Sequence, residues 1–169
     1  FASGNLQASG INYITIATTG NSSDFGDMTQ DTFGRGGCAS ETRGIICGGN
    51  SSNVIEYVTI QTTGNATDFG DLSTNFYTTG ACDDLSRGCI AGGTSDNRIN
   101  YFTIASTGNA SDFGDLTRTT DANASCSDRT RGCWAGGGSS SDVIDYVTIQ
   151  TTGNASDFGN ALLEYGHSG

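Results

Sequence analysis

The stretch Thr152–Gly159, TGNASDFG, occurs four times with small changes: TGNSSDFG from Thr19, TGNATDFG from Thr63 and TGNASDFG from Thr107. Whatever these residues do, the chain does it at a fixed period. The tyrosines upstream keep the same step, with Tyr13, Tyr57, Tyr101 and Tyr146 spaced 44, 44 and 45 residues apart. A period of that length marks a repeat architecture in which each unit buries its faces against its neighbours.

One unit can be read from Leu116 to Asn160: LTRTTDANASC, a turn SDRT, RGCWAGG, a loop GSSSD, VIDYVTIQ, a turn TTGNAS and then DFGN. VIDYVTIQ is rich in β-branched and aromatic residues, CWA is a short apolar run, and the connections carry Gly, Asn, Asp and Ser. No segment keeps a helical period over a useful length. Each unit should therefore hold four short antiparallel strands. Thr-Gly-Asn falls between the third and fourth, where Gly-Asn is expected to supply the positive φ of a tight hairpin. Asp-Phe-Gly alone is a protein-kinase signature, but that chemistry also needs a strand Lys, and the chain contains no Lys. The phenylalanines Phe25, Phe69, Phe113 and Phe158 are expected as regular apolar residues of the fourth strand.

An apolar strand ending in Gly-Gly (Gly48-Gly49, Gly92-Gly93, Gly136-Gly137), a Tyr several residues later and an aromatic on the last strand together resemble kelch repeats. Two departures stand out: Phe replaces the usual Trp, and the first copy reads SGN in place of Gly-Gly. The resemblance implies an all-β, four-bladed β-propeller of four-stranded antiparallel blades. Blade one would combine residues 161–169 with 1–27, followed by blades at 28–71, 72–115 and 116–160. FASGN at Phe1 matches the second strand, and NALLEYGHSG matches the approach to a first strand. The ends are thus expected to share one blade and close the ring, which removes exposed sheet edges. More narrowly, YVTIQTTGNATDFGDL is similar to tandem repeats in virion structural proteins of marine tailed phages, especially cyanophages. That similarity implies a place on a virus particle or in host contact.

Composition narrows the partners. Seven Arg stand against 18 acidic residues, a net charge of −11, which disfavours a phosphate backbone because nucleic-acid affinity requires cationic groups to release counterions. No run approaches the roughly 20 apolar residues of a membrane-spanning helix. The single His, His167, is too little for a copper oxidase on a kelch-type propeller. Most acids recur in register and would be spread around a ring, whereas glycoside cleavage needs two converging carboxylates. No enzymatic activity and no cofactor or metal is expected.

Six cysteines occupy repeat-related positions. Opposed places on the first hairpin of each unit suggest disulfides Cys82–Cys89 and Cys126–Cys133, with Cys38–Cys47 a looser third pair. Bridges would point to an extracellular setting or a virion surface. The alternative is that these are small apolar residues fitted to crowded inner strands.

Differences between copies point to a contact face. The connections into the first strand (TQDTFGRGG, STNFYTTGA, TRTTDANAS) and between the second and third strands (NSSN, TSDNR, GSSSD) vary most and should emerge at one end of the unit. Phe33, Arg35, Phe76, Tyr77, Asp96, Arg98, Arg118 and Asp121 are the candidate binding residues there, since aromatics and Arg are enriched at interface hot spots. Expected partners are copies of the chain, a larger virion or extracellular scaffold, or a host-surface glycan or protein. Arg43, Arg87 and Arg131 recur beside the inner turn and are expected to have structural partners in their own blade.

Overall fold

A computed structural model describes residues 9–50, 52–77, 80–93, 96–120, 123–137 and 141–165. All regular structure in them is β. Sheet one pairs β1 (Gly10–Tyr13) with β2 (Ser23–Asp27). Sheet two runs in sequence order through β3 (Gly36–Ala39), β4 (Arg43–Cys47), β5 (Val54–Thr59) and β6 (Thr67–Asp71). Sheet three holds β7 (Gly80–Asp83), β8 (Arg87–Ala91), β9 (Asp96–Thr103) and β10 (Ser111–Thr120). Sheet four holds β11 (Ala124–Ser127), β12 (Arg131–Ala135), β13 (Ser141–Thr148) and β14 (Ser156–Tyr165). Every pairing is antiparallel between sequence neighbours, as the repeat implied. Residues 161–165, expected to begin blade one, prolong β14 with Tyr165 opposite Ser141, and residues 116–120, expected to begin the last blade, prolong β10. Leu72 and Phe76 likewise donate their N–H groups to the Asn53 and Ser52 carbonyls of the sheet they leave. Each repeat is therefore counted from its first strand through this tail, at 36–77, 80–120 and 124–165, with the residues before β3 belonging to the first. The hairpin at which the two ends were expected to meet lies outside the described residues.

Asp-Phe-Gly is a β-bulge in all four copies. In sheet two, Ile55 opposes Gly70 and Glu56 opposes Asp68, which leaves Phe69 as the extra residue. Phe25, Phe113 and Phe158 are displaced in the same way. A bulge re-aims a side chain. Here it brings each Phe edge-to-face against the Tyr of its own sheet, at 6.0, 6.1, 5.9 and 5.8 Å between ring centroids in order along the chain. Arg43, Arg87 and Arg131 lie over the rings of Tyr57, Tyr101 and Tyr146 at 4.6, 4.5 and 5.0 Å from their centroids. The expected partner in the same blade is therefore a ring rather than an acid.

Successive sheets pack on one another, and the core is divided among their interfaces. Phe69, Leu72 and Phe76 of the second repeat bury Ile90, Phe102 and Ile104 of the third. Phe113 and Leu116 of the third bury Trp134, Val147 and Ile149 of the fourth. A smaller cluster of Ile11, Phe25 and Met28 meets Ala66, Ile46 and Val58.

Thr-Gly-Asn does not do what the sequence suggested. The chain reverses one step earlier, where the Thr62 N–H donates to the Thr59 carbonyl at 3.1 Å; of the expected Gly-Asn pair, Gly108 and Gly153 have positive φ at +154°, but no Asn among the described residues does. The segment instead lies along the bulge of the preceding sheet. Gly64 N–H donates to the Phe25 carbonyl at 2.7 Å and Ala66 N–H to the Asp27 carbonyl at 2.8 Å, while Asn65 Oδ1 accepts from Asp27 N–H at 3.0 Å. The same three bonds join Gly108, Ala110 and Asn109 to Phe69 and Asp71, and join Gly153, Ala155 and Asn154 to Phe113 and Asp115. The bulge glycine makes this approach possible. A Cβ on Gly26, Gly70 or Gly114 would lie 2.5 Å from the carbonyl carbon of Gly64, Gly108 or Gly153, and their φ of +144° to +147° suits glycine alone. Asp-Phe-Gly is thus the receiving half of a clasp, and Thr-Gly-Asn is the inserted half.

Candidate assembly surface

The two variable connections meet at one end of the sheets. Asn50 N–H donates to the Phe33 carbonyl at 2.9 Å, Gly49 N–H to the Phe76 carbonyl at 2.8 Å, and Gly93 N–H to the Thr120 carbonyl at 2.9 Å. These bonds bring loops from neighbouring repeats together. Phe33 and Tyr77, both half-buried, face each other edge-on with centroids 5.9 Å apart.

The candidate residues divide sharply. Phe76 is 0% exposed and belongs to the core between sheets two and three, so it cannot serve as a surface contact. Its aromatic character reads equally as anchor or core in a sequence, and here the neighbouring sheet takes it. Arg118 donates through Nη2 to the Gly136 and Val143 carbonyls at 2.9 and 3.1 Å, a link from the third repeat to the fourth. Burial lowers its pKa, against the opposing influence of Asp145 and Asp142. Arg35 turns back onto its own loop, to Met28 Sδ and the Gln30 carbonyl. Burial lowers its pKa too, with Glu56 and Asp31 opposing. Asp121 lies outside the described residues.

Asp96 and Arg98 stay at the surface, paired at 2.7 Å with the Arg98 side chain 45% exposed. Desolvation would raise the Asp96 pKa, but the bonds from Arg98 outweigh it and hold the carboxyl below its ordinary value. The pair is a modest exposed salt bridge. Tyr77, Phe33, Asp96 and Arg98 remain as the accessible part of the variable end.

The six cysteines are free thiols, which departs from the expected bridges. Cys82 does oppose Cys89, and Cys126 opposes Cys133, but Cys38 faces Ile45 and Cys47 faces Gly36. Each hairpin is closed by a bond such as Asp84 N–H to the Arg87 carbonyl at 3.2 Å. Counting outward, ladder alternation makes Cys82–Cys89 a hydrogen-bonded pair, the type whose side chains stand farther apart. The Cys38 and Cys82 sulfurs point to the next repeat, whereas Cys47 Sγ donates to the Gly36 carbonyl of its own hairpin at 3.5 Å and the Cys126 and Cys133 side chains hydrogen-bond to each other. A Cβ on Gly88 would lie 2.8 Å from Cys38 Sγ, and one on Gly132 would collide with Cys82 Sγ. Burial raises the Cys38 and Cys82 thiols strongly and pushes Cys47 and Cys89 up to about 12.

The residues that organise the molecule were missed in the sequence. Glu56, Asn100 and Asp145 share one repeat position, and all three are buried. Glu56 accepts from Thr29 N–H and Oγ1 at 2.8 Å each, Asn100 Oδ1 from Ser73 N–H at 2.8 Å, and Asp145 Oδ1 from Thr117 Oγ1 at 2.6 Å. Each bond crosses to the preceding repeat. Arg43 and Arg87 reach forward as well, to the Ile104 and Ile149 carbonyls at 2.9 and 3.0 Å. The available signal was a polar residue always preceding the repeated Tyr inside an apolar strand. Among the described residues no group of three or more His, Cys, Asp or Glu is placed to hold a metal ion.

Neither a protein-family model nor a curated protein matches the chain. The likeness to kelch and phage repeats therefore rests on the quoted motifs alone.

Proposed function

We propose that the chain is a non-enzymatic structural module of a virion or extracellular assembly, associating with copies of itself or with a larger scaffold. The observation that carries this reading is the use to which polar groups are put. Glu56, Asn100, Asp145, Arg43, Arg87, Arg118 and the clasp asparagines all spend their hydrogen bonds joining one repeat to the next. Such a molecule is organised for holding sheets in series. The resemblance would make the finer form a closed four-bladed, kelch-like propeller in which the first repeat covers Phe158 of its own chain, but the 55% exposure of Phe158 favours an open series whose last edge is free for a copy.

A second reading, capture of a host-surface glycan or protein, is favoured by one observation: Tyr77, Phe33, Asp96 and Arg98 remain accessible among the variable connections. Electron microscopy of the native assembly and a glycan array separate the two. Regular particles or filaments with a blank array support the structural module. Saturable glycan binding by dispersed chains, abolished by Arg98→Ala, would replace it with the binding module.

A further inference from the structure

The clasp has two halves, and each end of the repeat series shows one half open. At the last repeat, Phe158 is 55% exposed, whereas Phe25, Phe69 and Phe113 are buried. Nothing lies within 4 Å of where a Cβ on Gly159 would stand, although its φ of +137° matches its three clasped equivalents. At the first repeat, Ile16 is 93% exposed where its equivalents Ile60, Ile104 and Ile149 are 43%, 0% and 0% exposed. Arg131 stands over Tyr146 as Arg43 and Arg87 stand over their rings, ready to reach a following carbonyl.

We infer that the Phe158–Asn160 edge receives the Thr19–Asn21 turn of a second copy, so that chains join head to tail through the contact that already joins repeats. This rests on the self-association reading above and names its interface. The chemistry transfers bond for bond. Gly20 N–H would donate to the Phe158 carbonyl, Ser22 N–H to the Asn160 carbonyl, and Asn160 N–H to Asn21 Oδ1. The internal clasps use only backbone groups of Asp27, Asp71 and Asp115, so Asn160 at that position offers the same N–H and carbonyl. Arg131 would reach the Ile16 carbonyl as Arg43 reaches that of Ile104. Ile16 and Leu162, 99% exposed, bring apolar surface to the joint. Because the two halves differ, the interface is heterologous and propagates instead of stopping at a dimer.

Native mass spectrometry over a concentration series, with two variants, tests this. Wild-type chains should form a ladder of oligomers. Gly159→Val blocks the receiving edge and Ile16→Asp places a charge in the inserted half. Each alone should weaken association by roughly 100-fold or more, since either buries a clash or an unpaired charge. Ile16 is solvent-facing, so Ile16→Asp should leave thermal unfolding unchanged even if Gly159→Val strains its strand. Mixed together, the variants should give a one-to-one heterodimer and nothing larger, because one intact half remains on each. Oligomers that persist in both variants would overturn the clasp and leave the structural module standing through another face. A wild-type chain that stays monomeric throughout would overturn both this joint and the self-association on which it rests.

Discussion

Phe113-Gly114-Asp115 and Phe158-Gly159-Asn160 are nearly the same local structure in different surroundings. Both form a bulge, and their Tyr–Phe centroid distances are 5.9 and 5.8 Å. Yet Phe113 is 3% exposed and Phe158 is 55% exposed. The sheet itself thus makes the bulge and the ring pair, while burial comes from the following repeat. Stability in such an array is approximately a sum of unit terms and nearest-neighbour terms, and this pair of sites separates them.

The largest expected effect comes from adding one methyl group at each site. Gly114→Ala and Gly159→Ala share the same positive-φ strain, roughly 1–2 kcal/mol. Only Gly114→Ala also pushes a Cβ to 2.5 Å from the Gly153 carbonyl carbon, and it should lose a further ~2 kcal/mol or more in urea unfolding of the monomeric chain. Equal losses at the two sites would mean that the neighbour contributes nothing.

A smaller effect is expected at the asparagines. Asn109→Ala removes the acceptor for Asp71 N–H and should cost about 1 kcal/mol. Asn21→Ala, in the open half, should stay within about 0.5 kcal/mol in monomers. A positive-φ role for Asn would make the two losses alike, so the same unfolding measurement also checks the reassignment of this residue.

At neutral pH the smallest effect on stability concerns the thiols. Cys126 is exposed at the last repeat, whereas Cys82, its equivalent, is buried against Gly132. Thiol-reactive dye should label Cys126 at once and Cys82 only on unfolding, as read by peptide mapping. Burial raises the Cys82 and Cys89 thiols, Cys89 to about 12, so the folded chain keeps the proton longer than the unfolded one. The associated stability is complete below the unfolded thiol value, about 8.5, and is lost as pH climbs toward 12. A chain whose unfolding midpoint does not fall between those limits would contradict the buried placement.

Period, strand number and the antiparallel order of strands within each unit were legible in the residues, because alternation and turn chemistry act over a few neighbours along one strand. TGN and DFG were visible too, as constant segments, but their purpose was not. Asn65 bonds Asp27 across 38 residues, and no local pattern distinguishes an Asn that bends its own backbone from one that bonds the next sheet. The variable end shows the same limit: copy-to-copy differences marked Phe76 and Arg118 as contacts, and packing made one core and the other a link between repeats. The cysteines were paired by hairpin register, yet the Cys38 and Cys82 sulfurs meet glycines of the adjoining sheet. The unit follows from the order of residues, because its interactions are short-range. Which glycine, asparagine, thiol and aromatic holds one unit to the next follows from the assembled fold, because those contacts depend on how whole sheets are offset against each other.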